Sequence, residues 1–354
     1  MSLEEQNNEP PQELEDRLIE METAGPETED DRRQSSLEEL VQTIRDSADK
    51  LLRDKTSRGD VKVLSRAIRE LRYAFRVFQP YRRRRKVTVF GSARTPPSDP
   101  AYIQAVDFGR AMAEQDWMVV TGAAHGIMEA GHVGAGREHS MGINIMLPFE
   151  QSANPIIAGD PKLVHMKYFF TRKLMFVKEC DALVCCPGGF GTLDEGLEIL
   201  TLLQTGKRDM VPVVFLDAPG DDYWLRFDDF VREQLLARRL ISPEDTSLYC
   251  VTDSYQRAVE EILQFFRVYH SMRYVKRRLV FRLQQSLEPA LLEGINREFA
   301  DILSEGVFEQ RPALSAEKDE PDLAELPRLV FVFNRRSLGR LRQLIDVINR
   351  GSLQ

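Results

Sequence analysis

Between Val87 and Asp217 short, nearly unbroken apolar runs alternate with longer stretches whose apolar residues recur at helical spacing. VTVF, WMVV, GINIM, ALVCC and VPVVFL each have the texture of a strand buried on both faces. Tyr102 to Gln115, IMEAGHVGAGRE, the later part of Leu163 to Glu179 and TLDEGLEILTLLQTG have the texture of helices. Strands of this kind separated by helices imply a parallel sheet covered on both sides. The commonest solution is an α/β, Rossmann-like doubly wound sheet, expected over 81–270.

The flanks follow other patterns. Residues 1–34 are rich in Glu, Asp, Pro and Gln without apolar periodicity, and are expected to be disordered. Over 35–80 two amphipathic patterns predict a helical hairpin. The first opens with a capping box at Ser36 and Glu39 and carries Leu37, Leu40, Val41, Ile44, Ala48, Leu51 and Leu52. The second starts after Asp60 and carries Val61, Leu64, Ile68, Leu71 and Phe75. From 271 to 354 the pattern begins afresh as a small α/β appendage: RRLVFRL and RLVFVF as strands, Leu287 to Leu303 and Leu338 to Ile348 as helices. The charged, Pro-containing SAEKDEPDLAEL reads as a loop between them.

Net charge is −8, so an anion site has to be made locally, and no nucleic-acid partner is expected. The one basic run, Arg82 to Lys86, has no interleaved aromatic residue and reads as a solvated rim before a strand. The amino terminus is acidic and polar, and no apolar run is long enough to span a bilayer, so a cytoplasmic protein without a membrane partner is expected. Cys180, Cys185, Cys186 and Cys250 form no C-x-x-C pair and are expected to be free thiols.

Candidate chemistry gathers at strand ends. Pro187-Gly188-Gly189-Phe190-Gly191-Thr192-Leu193-Asp194-Glu195 lies between a buried strand and a helix. Its glycines permit close backbone approach, and successive amides at a helix start make an anion nest to which the Thr192 hydroxyl adds a donor. Neither G-x-G-x-x-G nor G-x-x-x-x-G-K-S/T is satisfied, which argues against a dinucleotide site and a P-loop. Glu195 has two readings. Thr192-x-x-Glu195 is a capping-box spacing, and a carboxylate beside an anion site is also suited to a developing positive charge on a sugar. Arg172, set among mostly apolar neighbours in YFFTRKLMF, is the second candidate, since a guanidinium suits a phosphate, a base edge or a catalytic carboxylate. Phe90-Gly91-Ser92-Ala93-Arg94 and Thr121-Gly122-Ala123-Ala124-His125-Gly126 are two further strand-end turns on the same sheet edge. His125, His132 and His139 recur every seven residues. Helical spacing puts neighbours roughly 10 Å apart along the axis, too far to share one ion.

PGGFGTLDE, TRKLMF upstream of it and VFGSAR together resemble the Lonely Guy family, phosphoribohydrolases of cytokinin nucleotides and related nucleoside monophosphates once labelled lysine decarboxylase-like. The similarity covers Val87 to Asp217, and GSAR, GIMEA and LPFEQ look most like the longer bacterial members. The resemblance implies that Arg172 and Glu195 are a catalytic pair. It implies that Gly188, Gly189, Gly191 and Thr192 bind phosphate, and that Ser92, Gly122 and Gly126 face the ligand on the other turns. It also implies a homodimer or higher oligomer with sites near the contact, and hydrolysis of a nucleoside 5′-monophosphate to base and ribose 5-phosphate without metal or organic cofactor. The family's second turn usually reads Gly-Gly-Gly-x-x-Gly. Here Ala123 and Ala124 replace glycines, which is expected to restrict φ and narrow the pocket, and His125 adds a base or ribose contact. A non-catalytic nucleotide-binding regulator is the alternative. A decarboxylase would need pyridoxal phosphate on a lysine, and no lysine here has a recognisable context for it.

Overall fold

The computed structural model describes residues 29–146, 152–318 and 320–351. The tail reading for 1–28, the side chain of Ser36 with its capping box, and the LPFEQ segment from Leu147 lie outside the described residues. The chain divides into two compact units, residues 1–65 and 66–354.

In the first unit α1 (Glu29–Arg53) begins upstream of Ser36. A turn with Lys55 at φ 54° follows, and then α2 (Arg58–Phe78) opens. The second helix starts before Asp60, not after it, because Ser57 is its cap. Ser57 Oγ accepts from the Asp60 amide at 3.2 Å and donates to Asp60 Oδ2 at 2.8 Å.

The second unit holds the end of α2 and then alternating elements: β1 (Lys86–Phe90), α3 (Pro100–Glu114), β2 (Met118–Thr121), α4 (Ile127–His139), β3 (Ser140–Ile145), β4 (Leu163–Met166), α5 (Phe169–Glu179), β5 (Ala182–Cys185), α6 (Phe190–Gln204), β6 (Val213–Leu216), α7 (Tyr223–Phe230), β7 (Cys250–Thr252) and α8 (Tyr255–Phe265). The strands form one sheet in the order β4-β3-β2-β1-β5-β6-β7, with every pairing parallel. Alternate residues feed two cores. Val87, Val89, Val119, Ala182 and Val184 pack with α3, α4 and α8, whereas Phe90, Met118, Val120, Leu183 and Cys185 pack with α5 and α6. Burial on both faces is why these strands read as apolar runs rather than alternating ones. Chain order reverses between β1 and β5, which makes their carboxyl ends the switch point where ligands of such sheets bind.

The remaining elements are β8 (Tyr269–Val275), β9 (Arg278–Leu283), α9 (Pro289–Glu298), β10 (Leu303–Arg311), β11 (Arg328–Phe333) and α10 (Leu338–Arg350). They build an antiparallel sheet ordered β10-β11-β9-β8. RRLVFRL and RLVFVF are its two inner strands. The outer two, YHSMRYV and LSEGVFEQR, carry too many polar residues to announce themselves, and β10 is an exposed edge. Leu279, Phe281, Leu329 and Phe331 join the same apolar cluster as Leu183 and Cys185, so both sheets share one core. On the opposite face Glu317, from the charged loop, is buried between Arg282 and Arg328 at 3.1 Å from each.

Of the basic run at the start of β1, Arg82 and Arg83 are exposed, as a solvated rim would be, while four of its five residues have partners. Arg83 pairs with Asp322, Arg84 with Asp116, and Lys86 Nζ lies 3.4 Å from Glu179. Arg85 stacks 3.6 Å over the Phe266 ring and sits 3.6 Å from Asp181. Cys180, Cys185 and Cys186 are buried free thiols, and Cys250 is a half-buried one. Among the described residues no helix is long and apolar enough to cross a membrane.

Candidate active site

Three strand-end turns meet at the switch point. The Ser92 amide, after β1, donates to the Pro187 carbonyl after β5 at 3.0 Å, and the Ile127 amide donates to the Ser92 carbonyl at 3.0 Å. Glycine is required where these backbones touch. A Cβ on Gly126, at φ 63°, would sit 2.2 Å from the Ser92 oxygen, and one on Gly188 would sit 2.2 Å from Thr192 Oγ1 and 3.1 Å from the Gly91 carbonyl carbon. The Tyr223 hydroxyl, from α7, donates to the Gly188 carbonyl at 2.7 Å and steadies the loop from its far side. Ser92 Oγ accepts from the Arg94 amide at 3.1 Å, which tightens the first turn.

The glycine loop ends in the N-terminus of α6. Gly189 is its N-cap, in extended conformation and without a side-chain cap, so the first amides of the helix have no intrahelical acceptor. Gly189, Phe190 and Gly191 are exposed, while Thr192 is buried. This register removes the capping-box reading of Glu195. The cap is Gly189 rather than Thr192, Thr192 is the third residue of the helix, and its amide donates to the Gly189 carbonyl at 3.0 Å. Glu195 lies one turn further in, only 4 % exposed. Burial pushes its carboxyl up to about 7, against the lowering influence of Lys173 and then Arg172.

Those two cations come from α5. The start of α5 is pinned by Glu70 of α2, which accepts from the Lys167 amide at 3.0 Å and the Thr171 hydroxyl at 2.8 Å. Burial would raise the Glu70 carboxyl, but these bonds and Arg66 at 2.8 Å outweigh it and hold it below the usual range. Arg172 then lies between the rings of Phe169 and Phe176, 5.6 and 5.4 Å from their centroids. Its guanidinium nitrogens are 3.8 and 3.9 Å from where a Gly122 Cβ would stand, which brings α5 to the second turn. Its Nε is buried with no hydrogen-bond partner among the described residues. Lys173 turns to α6, where Nζ lies 2.6 Å from Glu198, 2.9 Å from Asp194 and 3.7 Å from Glu195. Lys173, Glu70 and Tyr223 carry no role in the sequence reading. Their only advance signal is that Lys173 adjoins Arg172, since Glu70 and Tyr223 act from distant segments.

At the second turn Ala123 adopts φ 60°, so its methyl does not keep the residue out of the left-handed region, and that methyl is buried against Ile157 and Leu163. The unfavourable conformation is held by a polar network. The Ala123 amide donates to Thr121 Oγ1 at 2.9 Å, and the Asn154 amide donates to the Ala123 carbonyl at 2.8 Å. Asn154 Nδ2 donates to the Ala124 carbonyl at 3.1 Å and to His132 Nδ1 at 3.2 Å. His132 is completely buried, which drops its pKa to about 4 and keeps it neutral. The Nε2 proton goes to the Met141 carbonyl at 3.0 Å. His125 is exposed, with Nδ1 2.9 Å from Glu129 Oε2, and His139 lies 3.6 Å from Asp116, so the three histidines occupy three separate environments.

Parts of this chain are similar to known proteins. A family model described as "Possible lysine decarboxylase" matches residues 121–262. A probable cytokinin riboside 5′-monophosphate phosphoribohydrolase of Oryza sativa subsp. japonica is 30% identical over 185 residues, 48% of this chain and 72% of the relative. A second rice protein of the same description is 30% identical over 141 residues, 38% of this chain, and the match spans only 59% of that relative's length. Among solved structures, a molybdenum cofactor binding protein from the phototrophic bacterium Rippkaea orientalis aligns with 50% of this chain and 94% of its own, at 20% identity and a TM-score of 0.36.

Proposed function

This chain belongs to the Lonely Guy family of cytokinin riboside 5′-monophosphate phosphoribohydrolases, and we propose that it hydrolyses the N-glycosidic bond of a nucleoside 5′-monophosphate to free base and ribose 5-phosphate. One observation carries the reading: a buried carboxylate, Glu195, lies within electrostatic reach of Arg172 and on the second turn of a helix with an uncapped, glycine-rich start.

The open amides of α6 bind the 5′-phosphate, where the helix dipole favours an anion. Cleavage leaves the electron pair of the C1′–N bond on the base and positive charge on the ribosyl ring. Ionised Glu195 stabilises that charge, and the low-dielectric surroundings that raise its pKa also strengthen the attraction. The water oxygen adds to C1′, one water proton is released, and the base nitrogen takes up one proton. Arg172 orients the carboxylate and substrate from the second turn. Phosphate binding, remote from the reacting bond, supplies energy for orientation.

The label of a lysine decarboxylase does not fit the lysine at this site. Imine formation with pyridoxal phosphate needs a neutral amine. Burial would lower the Lys173 pKa, but its bonds to Glu198 and Asp194 outweigh that and hold it above the usual value, as a cation.

The reading includes a homodimer and a cytoplasmic location. Phe169, Phe170 and Leu174 on α5 and Phe190 and Leu197 on α6 are exposed. Phe170, Leu174, Val177 and Leu202, with Lys173, Lys178 and Glu198 among them, line a groove of about 380 Å³ that suits a second copy of this chain. The three wholly buried free thiols suit a reducing compartment. The deciding experiment is incubation with a panel of nucleoside 5′-monophosphates and chromatography of the released base. Tight nucleotide binding with no base released by the wild type would make the protein a regulator instead.

A further inference from the structure

Consecutive helical residues diverge by about 100°. Arg172 therefore reaches the Gly122 turn while Lys173 reaches the acidic side of α6. There the spacing of Asp194 and Glu198 places both on one helix face, flanking Glu195. Three carboxylates within about one turn repel one another unless a cation stands among them, and Lys173 Nζ stands 2.9, 3.7 and 2.6 Å from Asp194, Glu195 and Glu198. The other titratable groups acting on Glu195 are Arg172 across from it on α5 and the Cys185 thiol beneath it on β5.

We propose that Lys173 is a positioning residue: it gathers Asp194 and Glu198 onto itself, offsets their repulsion of Glu195 and so favours a charged Glu195 aimed at the site. The proposal rests on the phosphoribohydrolase reading for its catalytic consequence, but not for its electrostatics. Asp194 and Glu198 take the two short contacts and fix the ammonium in place. Glu195 takes the long one, so its oxygens stay uncommitted for a cationic sugar. Among the charges that lower the Glu195 pKa, Lys173 is the largest contributor, ahead of Arg172.

The test reads Glu195 directly, on protein without substrate, by carbon-detected NMR titration of its carboxyl in wild type, Lys173→Met and Lys173→Arg. The expected midpoint rises by about one pH unit or more in Lys173→Met, which corresponds to an equilibrium shift of about tenfold or more. In Lys173→Arg it stays near the wild-type value. Lys173→Gln, which also removes the charge but keeps a polar end, is expected to move the midpoint in the same direction and supplies the test if Lys173→Met fails to fold. An unmoved midpoint in a folded Lys173→Met or Lys173→Gln overturns the proposal. If the enzyme turns over, the acid limb of kcat/KM moves with the NMR midpoint and Lys173→Met approaches wild-type rate at high pH, which general structural damage would not produce. A wild type that releases no base refutes the phosphoribohydrolase reading while the titration still decides the role of Lys173.

Discussion

Replacing Glu195 by Gln separates what this carboxylate does for turnover from what it costs the fold. The amide keeps the size of the side chain and loses the charge. In the ground state the substrate is anionic at its phosphate and gains little from a nearby carboxylate, so nucleotide binding is expected to survive. The cationic sugar exists only near the transition state, where a charge in a dry site is worth roughly 3 kcal/mol, or a loss of about 100-fold or more in kcat. The fold responds in the opposite sense. Folding raises the Glu195 pKa from 4.5 to about 7. The protonated form therefore suits the folded state, and stability is full below pH 4.5 and is lost as pH rises through 7. At about 1.4 kcal/mol per pH unit the loss is on the order of 3 kcal/mol at pH 8. Glu195→Gln carries no such penalty. Urea unfolding at pH 8 is expected to find it more stable than wild type by up to this amount, with the gap closing near pH 4.5. Wild type is expected to gain activity as pH rises through about 7. Single-turnover assays with matched calorimetric titrations check the kinetic half. Wild-type turnover in the mutant would refute the catalytic reasoning, and equal stability at pH 8 would refute the electrostatic reasoning.

Other outcomes are expected from the same geometry. Calorimetry should find AMP bound more tightly than adenosine, since the open amides of α6 have no guest in the nucleoside; equal affinities would remove the phosphate site. Asn154→Ala leaves the Ala124 carbonyl and His132 Nδ1 without their donor and removes two of the bonds around a turn held at φ 60°. Chemical denaturation should show a loss of about 1–3 kcal/mol, and a neutral result would mean that the network does not hold the turn. Light scattering should give a dimer that Leu174→Glu dissociates. A monomeric wild type with full activity would refute the role given to the α5 and α6 face.

Much of the central sheet is legible in the sequence because strands buried on both faces carry few polar residues, so VTVF and ALVCC have few alternative readings. Edge strands escape that rule, which is why β10, with one solvated side, carries no signal. At the site the turns are legible because close backbone contact leaves Gly126 and Gly188 no substitute. The two readings of Glu195 are not separable from spacing, because a cap at Thr192 and a cap at Gly189 differ only in where the helix begins. That is settled by the backbone of residue 189. Glu70 and Asn154 act across 101 and 30 positions of chain, on Thr171 and the Ala124 carbonyl, and no local pattern records such reach.

The three turns that meet at the switch point hang from β2, β1 and β5, neighbours in the sheet yet far apart in order of synthesis, for β1 at Val87 lies against β5 at Ala182. A nascent chain that has emerged only as far as α5 has its Ser92 and Gly122 turns but an open edge along β1, with no glycine loop and no Glu195. Joining that edge means closing a loop of nearly a hundred residues, a slow step among folding events. On the proposed reading, affinity for nucleotide arrives only after β5 docks and brings the glycine loop to the other two turns, and prematurely terminated chains that lack β5 should bind no nucleotide.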